Sequence, residues 1–190
     1  RFGWFGLVVA ALAPLWVVYL ALSQVFEPIP LFSNAETPAV TAALVAVVLL
    51  TTPLQCAGEE YAMRGWLLQN IGVAIPRPLV ALVVPTVVSA VVFSALHGSL
   101  DPWIITSLVA TSVAACWVTW RTGGLEAAVA LHTVNNVSIF LFQAAFGVPL
   151  MSAIITDGTT GTWLGALLGV TFNLLAVPVV AEVARRRGIN

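Results

Sequence analysis

The sequence has very little charge. Only 8% of its 190 residues are charged, and the seven basic residues are all arginine, with no lysine. A typical soluble domain carries about 25% charged residues. A chain that is 60% hydrophobic has too few polar side chains to cover its apolar ones in water. The composition therefore excludes an ordinary soluble domain and predicts a membrane protein in contact with a lipid bilayer.

The sequence also has no extended basic surface and few cysteines. The formal net charge is −1, and the only basic cluster, Arg185–Arg187, is typical of a cytoplasmic membrane anchor. Nucleic-acid binding would need a basic face, so no nucleic-acid partner is expected. Cys56 and Cys116 lie inside apolar runs, where thiols usually serve as small hydrophobic side chains.

Six apolar segments are long enough to span a bilayer, which takes about 20 helical residues. Pro, Gly and Asp residues typical of turns separate them. The second segment is too long for one straight span, so we expect it either to continue along the membrane interface or to bend near Pro53. The predicted spans are Phe5–Leu22, Val40–Gln69, Leu79–His97, Trp103–Trp120, Leu125–Phe146 and Trp163–Ala184.

These segments predict an all-α, polytopic fold, with about six transmembrane helices around a polar cavity among the second to fifth. We expect one transmembrane domain over residues 1–190, and a first residue of Arg rather than Met is compatible with a longer parent chain. Acidic residues occupy alternate connections, and arginines occupy the others. The positive-inside rule then predicts a multi-pass protein of the cell membrane with both termini cytoplasmic. The arginines concerned are Arg1, Arg64, Arg77, Arg121 and the Arg185–Arg187 cluster.

Ionisable side chains inside membrane spans cost free energy, so each is expected to have a structural or catalytic role. Glu60 and Arg64 are four residues apart and can form an ion pair on one helix face. Glu59 is rotated by about 100° from Glu60, so it points elsewhere and has no evident local partner. The alternative is that both carboxylates simply lie at the inner interface, where they pair with Arg64 and Arg77.

The two histidines of the chain lie in two further polar clusters. His97 ends a long apolar helix, where a polar residue is common. His132 and Asn136 share one helix face about two turns into a span, and they could instead bond a neighbouring helix. Taken with Glu59, these groups indicate hydrolysis of an amide bond. A carboxylate and an imidazole can deprotonate water, while a second imidazole and an amide can stabilise an oxyanion.

Three motifs occur in this order on successive helices: Glu59-Glu60-x-x-x-Arg64, Phe93-x-x-x-His97 and His132-x-x-x-Asn136. They resemble the CPBP family of intramembrane proteases, which comprises type II CAAX prenyl proteases and bacteriocin-processing enzymes of the ABI family. The resemblance covers about Leu50–Phe140 and includes the Arg121-Thr122-Gly123-Gly124-Leu125 turn. It implies an intramembrane endopeptidase acting on a membrane-embedded or lipidated peptide or protein.

The resemblance also implies a role for each matching residue. Glu59 and His97 would activate the water, His132 and Asn136 would stabilise the oxyanion, and the Glu60–Arg64 pair would be structural support. No cofactor is expected, because a zinc site of the His-Glu-x-x-His kind needs a second imidazole where this chain has Asn136. A zinc site formed by Glu59, His97 and His132 is the alternative.

Two other functions are compatible with the sequence. A catalytically inactive family member could act as a membrane scaffold or an immunity-type interaction protein, and a small transporter could use a protonatable Glu–His site.

The predicted depths of the candidate residues in the membrane conflict with a shared site. The six spans put Glu59 and His132 in the inner half of the membrane and His97 at the outer end of its helix. Either the Gly98–Asp101 connection enters the protein, or the predicted boundaries are wrong.

Overall fold

The computed structural model describes residues 2–33 and 36–189, so Arg1, which enters the orientation prediction, lies outside the described residues. Within those two ranges the chain is helical and has no strand, which confirms the all-α class. The α-helices are joined by short connections, and a π-helix (Tyr61–Leu67) and a 3₁₀ turn (Leu150–Ala153) interrupt the pattern. The α-helices are α1 Phe2–Phe26, α2 Pro38–Glu60, α3 Leu68–Val73, α4 Pro78–Leu96, α5 Pro102–Thr122, α6 Glu126–Ala145 and α7 Trp163–Arg186.

Six of the described helical stretches are long and apolar enough to cross a membrane, which confirms the predicted spans to within a few residues at most ends. Helix-start signals in the sequence set several of these ends. Proline occupies the first position of α2 and α5, where its missing N–H costs nothing. The carboxylate of Asp101 accepts hydrogen bonds from the N–H groups of Trp103 and Ile104 and so caps α5.

The second predicted span is one continuous helical stretch, Pro38–Val73, of 36 residues. Pro53 lies inside α2 and does not end it. The backbone changes later, where Tyr61–Leu67 forms a π-helix directly after Glu60. A π-helix inserts extra residues into a turn and commonly occurs at functional sites. The irregularity of this stretch therefore lies at the polar motif.

The apolar core lies between α1, α6 and α7, with part of α5. Alanines dominate the α6 face, and small residues of this kind let membrane helices approach closely. Large aliphatic side chains such as Leu50, Leu54 and Val91 point outward and are exposed, as expected for a surface solvated by lipid tails. Both cysteines are buried free thiols. Most of the buried polar side chains lie on α2, α4, α5 and α6 and in the π-helix.

The position of α4 resolves the conflict over His97. This helix packs against the π-helix and α3, and hence against the carboxyl-terminal end of the long second stretch. The approach is close, since a Cβ on Gly72 would lie 3.1 Å from the Ala81 carbonyl oxygen. Further along, the Arg64 guanidinium lies 5.0 Å from the centre of the Phe93 ring. Because α4 runs back along this end, it finishes beside Glu59 and not beside the start of α2.

Candidate active site

Glu60 and Arg64 form the ion pair that their spacing predicts. Arg64 Nη1 lies 2.9 Å from Glu60 Oε1, and the two side chains are 0% and 1% exposed. Arg64 Nη2 also donates to the Ser112 carbonyl oxygen of α5 at 3.2 Å. Arg64 is buried within the protein and does not lie in a connection between spans. The prediction that it marks the cytoplasmic side of the membrane was therefore wrong. The argument from one-sided arginines therefore depends on the remaining ones.

His132 joins α6 to this pair. Its Nδ1 lies 2.9 Å from Glu60 Oε1, and a carboxylate ionised beside Arg64 only accepts hydrogen bonds, so Nδ1 carries the proton. On the other side of the ring, Nε2 lies 3.3 Å from Asn136 Nδ2 and 3.8 Å from Glu59 Oε2. The buried ion pair thus fixes the ring so that Nε2 faces Glu59 and Asn136.

Glu59 has a different environment from its neighbour. Its side chain is 34% exposed, and its Oε1 accepts a 2.9 Å hydrogen bond from Gln55 Nε2, one helical turn earlier. The expectation that Glu59 has no local partner was therefore wrong. The i, i+4 spacing of Gln55 and Glu59 is visible in the sequence and could have predicted this contact. Because the partner is a neutral amide, Glu59 gains an orienting hydrogen bond without a neutralising charge.

His97 is the carboxyl-terminal cap of α4. Its Nδ1 lies 2.8 Å from the Phe93 carbonyl oxygen, which can only accept, so Nδ1 donates and Nε2 is left as an acceptor. The imidazole also packs against the Phe93 ring, with 4.7 Å between ring centres. The chain then turns sharply at Gly98, whose φ of 77° is a left-handed conformation that favours glycine.

These side chains surround a cavity between α2, α4 and α6. Its main part has a volume of about 440 Å³ and is lined by Glu59 and His97 among others. A smaller part of about 160 Å³ adds Asn136 and shares three lining residues with the first: Gln55, His97 and Ile155. His132 lies behind Glu59 and Asn136. The structure thus brings the four candidate catalytic residues together, and the Ser112 carbonyl of α5 contacts the Arg64 guanidinium behind them.

Two further pockets open elsewhere on the bundle, beside the turn at Gly123 and Gly124. Their volumes are about 450 and 580 Å³, and neither is lined by a histidine. Their walls are mainly apolar side chains from α1 to α6, which suits contact with lipid. The cavity beside Glu59 and His97 is the better candidate site because a carboxylate and an imidazole that can act on a substrate share its wall.

A comparison with known protein families identifies the family of the chain. A family model described as type II CAAX prenyl endopeptidase, Rce1-like, matches residues 40–138, a stretch that contains every residue of the three motifs. The chain belongs to this family. The resemblance that the motifs predicted is therefore confirmed, and by family the protein is an intramembrane protease of the CAAX type. No curated protein and no solved structure matches the chain.

The same residues were considered as zinc ligands. Within residues 2–33 and 36–189, no group of three or more His, Cys, Asp or Glu side chains is arranged to hold a metal ion. Each imidazole has its Nδ1 engaged, one by Glu60 and the other by the Phe93 carbonyl. Among the described residues, the remaining donors of Glu59, His97 and His132 do not form the converging set that zinc requires.

Two contacts at the site involve residues that the motifs leave out. Trp16 of α1 donates from Nε1 to Asn135 Oδ1 at 3.0 Å, and Asn135 Nδ2 donates to Asn136 Oδ1 at 2.8 Å. Asn135 does not match a position of the three motifs. Sequence spacing could not reveal its link to Trp16, which joins residues 119 positions apart.

Proposed function

We propose that this chain is an active endopeptidase that hydrolyses a peptide bond in a membrane-associated peptide or protein. One observation carries the proposal. Glu59 presents a carboxylate to the cavity that His97 also lines, while the adjacent Glu60 is buried and neutralised by Arg64. General-base catalysis needs such a carboxylate, accessible to water and within reach of a second proton acceptor. The family's name indicates a carboxyl-terminal CAAX sequence bearing a prenyl group as the substrate class.

Glu59 and His97 are assigned to the attacking water. In its neutral form the His97 ring presents Nε2 as an acceptor, because Nδ1–H donates a hydrogen bond to the Phe93 carbonyl oxygen. A water between Nε2 and the Glu59 carboxylate donates one hydrogen bond to each, which leaves an oxygen lone pair for the substrate carbonyl. Glu59 then removes its proton as the new C–O bond forms. The Gln55 hydrogen bond holds the carboxylate in orientation for this transfer.

Asn136 and His132 are assigned to the oxyanion. Asn136 lines the cavity, and its Nδ2 is a neutral donor that costs no proton transfer. His132 Nε2 becomes a donor when the ring carries a second proton. In that form each ring nitrogen has a carboxylate oxygen nearby, Glu60 at 2.9 Å and Glu59 at 3.8 Å. When the tetrahedral intermediate collapses, the C–N bond breaks and the proton held by Glu59 passes to the leaving amine.

The test is a cleavage assay on the purified chain in liposomes, with a prenylated CAAX peptide and its unprenylated counterpart as substrates. We expect the prenylated peptide to be cleaved. A His97→Gln variant should lose about 10²-fold in kcat, the scale of general acid–base catalysis. Failure of the well-folded wild-type protein to cleave either peptide would remove the proposed activity, and the scaffold function would replace it.

We also propose that both termini face the cytoplasm. The support is the distribution of charge at the two ends of the helices, with Arg77, Arg121 and the Arg185–Arg187 cluster at one end and Asp101 and Asp157 at the other. Single cysteines at Asp101 or Thr159 should react with an impermeant reagent added outside the cell, whereas cysteines at Arg121 or Gly188 should not. The parent for these variants should lack Cys56 and Cys116. External labelling at Arg121 would reverse the orientation.

A further inference from the structure

A chain of hydrogen bonds leads from α1 to the cavity. It begins at Trp16, a buried residue of which 1% is exposed, and passes from Trp16 Nε1 to Asn135 Oδ1 at 3.0 Å. It continues from Asn135 Nδ2 to Asn136 Oδ1 at 2.8 Å. Asn136 then faces His132 and the cavity with its Nδ2 group. The chain links the first helix to the amide assigned to the oxyanion.

The direction of this chain is fixed by its first member. An indole N–H can donate a hydrogen bond but cannot accept one. Asn135 must therefore present its oxygen to Trp16, which leaves its NH₂ group for Asn136. Asn136 must in turn present its oxygen to that NH₂ group, so its own NH₂ points away, towards His132 and the cavity. When the His132 ring carries a second proton, its Nε2 no longer accepts from Asn136, and the Trp16–Asn135 chain then opposes a rotation by about 180° that would exchange the donor and acceptor sides of the amide.

We infer that Trp16 and Asn135 are positioning residues that keep the Asn136 amide with its N–H groups towards the reacting carbonyl. The inference rests on the proposed oxyanion role of Asn136. A reversed amide would place a carbonyl oxygen against the developing negative charge, which is repulsive where stabilisation is needed. Trp16 lies outside residues 40–138, the part matched by the family model, so the inference assigns to α1 a share in the site.

A purely structural role for Trp16 is the competing explanation, since Trp16 also belongs to the apolar core. Trp4 is a matched control for that role. It lies on the same helix and in the same core, is 6% exposed, and its Nε1 is a buried atom without a hydrogen-bond partner among the described residues. Trp→Phe at either position removes the same part of the ring, but only at Trp16 does it remove a donor used by the site.

The experiment measures kcat, KM and melting temperature for Trp16→Phe, Trp4→Phe, Asn136→Ala and the Trp16→Phe/Asn136→Ala double variant, with the prenylated peptide as substrate. Asn136→Ala should lower kcat by about 10²-fold, the usual cost of one oxyanion donor. Trp16→Phe should lower kcat about tenfold with KM nearly unchanged, because the loss is in the transition state. Trp4→Phe should retain wild-type kcat. In the Asn136→Ala background, Trp16→Phe should change kcat by less than about twofold.

Asn135→Leu provides a second route if the Trp16 variant folds poorly, since it breaks the same chain at its middle member and keeps the branched shape of the side chain. It should also lower kcat about tenfold, and combining it with Trp16→Phe should add little. Equal losses from Trp16→Phe with and without Asn136, or an equal loss in Trp4→Phe, would overturn the positioning role while leaving Asn136 in place. Wild-type kcat in Asn136→Ala would instead refute the proposed oxyanion role, and the inference with it.

Discussion

Two sides of α2 meet at adjacent carboxylates, and their surroundings differ completely. On the ionic side, Glu60 is buried and contacts both Arg64 and His132 through one oxygen. On the cavity side, Glu59 is one-third exposed and has the neutral amide of Gln55 as its partner. One step along the helix therefore gives two identical carboxylates different burial and different partners. A carboxylate neutralised by a buried arginine can hold a structure together, whereas one beside an amide can remain available as a base.

The largest effect is expected on the cavity side. Glu59→Gln keeps the volume and can still contact Gln55, but it removes the basicity. We expect kcat to fall by about 10²-fold or more, the scale of general-base catalysis, with no change in melting temperature. Peptide cleavage and thermal unfolding in the same detergent would measure both quantities. Full activity in a well-folded Glu59→Gln protein would refute the mechanism.

On the ionic side, we expect a substitution of Glu60 to lower the stability of the protein. Glu60→Gln leaves the buried Arg64 guanidinium uncompensated, which we expect to cost about 3 kcal/mol and to lower the melting temperature in detergent. The protein that remains folded should keep part of its activity. A Glu60→Gln/Arg64→Met double variant should recover part of the lost stability, because it removes the unpaired charge as well. An unchanged melting temperature in the single variant would contradict the structural role of the pair.

A smaller effect is expected from Gln55, which contacts Glu59 through one hydrogen bond. Gln55→Leu should lower kcat about fivefold, equivalent to about 1 kcal/mol, because Glu59 loses its orientation. The matched control is Gln69→Leu, an exposed glutamine of α3 that lies away from the cavity. If both variants lose activity equally, the Gln55 contact does not orient the base.

Metal removal is expected to have the smallest effect. Purified protein should contain less than stoichiometric zinc, and dialysis against a chelator should leave cleavage of the prenylated peptide unchanged. The physical reason is that Asn136 replaces the second imidazole of a one-helix zinc motif. Elemental analysis and the cleavage assay before and after dialysis provide the measurement. Loss of activity that zinc alone restores would favour the three-ligand alternative of Glu59, His97 and His132.

Much of the fold could be predicted because membrane spans depend on local composition. Length and hydropathy located six spans, and turn residues located their ends, since lipid requires each helix to satisfy its own backbone. The Glu60–Arg64 pair could be predicted for the same reason, because its i, i+4 spacing lies within one helix. The family could be recognised because its three motifs are short and local.

What could not be predicted involves the packing of one helix on another. The conflict over the position of His97 arose from the assumption that successive helices cross the membrane over the same depth. In the structure, α4 instead packs along the carboxyl-terminal end of a 36-residue stretch. The π-helix after Glu60 was not predicted either. Arg64 was expected both to pair with Glu60 and to mark the cytoplasmic side of the membrane. Its burial in the ion pair excludes the second role.

The sequence by itself determined that the chain belongs in a membrane, how many spans it has, and which side chains are the catalytic candidates. These properties follow from local hydrophobicity and helical spacing. Only the tertiary structure decided which of two adjacent carboxylates faces the cavity, how His132 is held, and that Trp16 reaches Asn135. These contacts join helices far apart in the chain, and such contacts depend on how whole helix surfaces fit together, which no short stretch of sequence specifies.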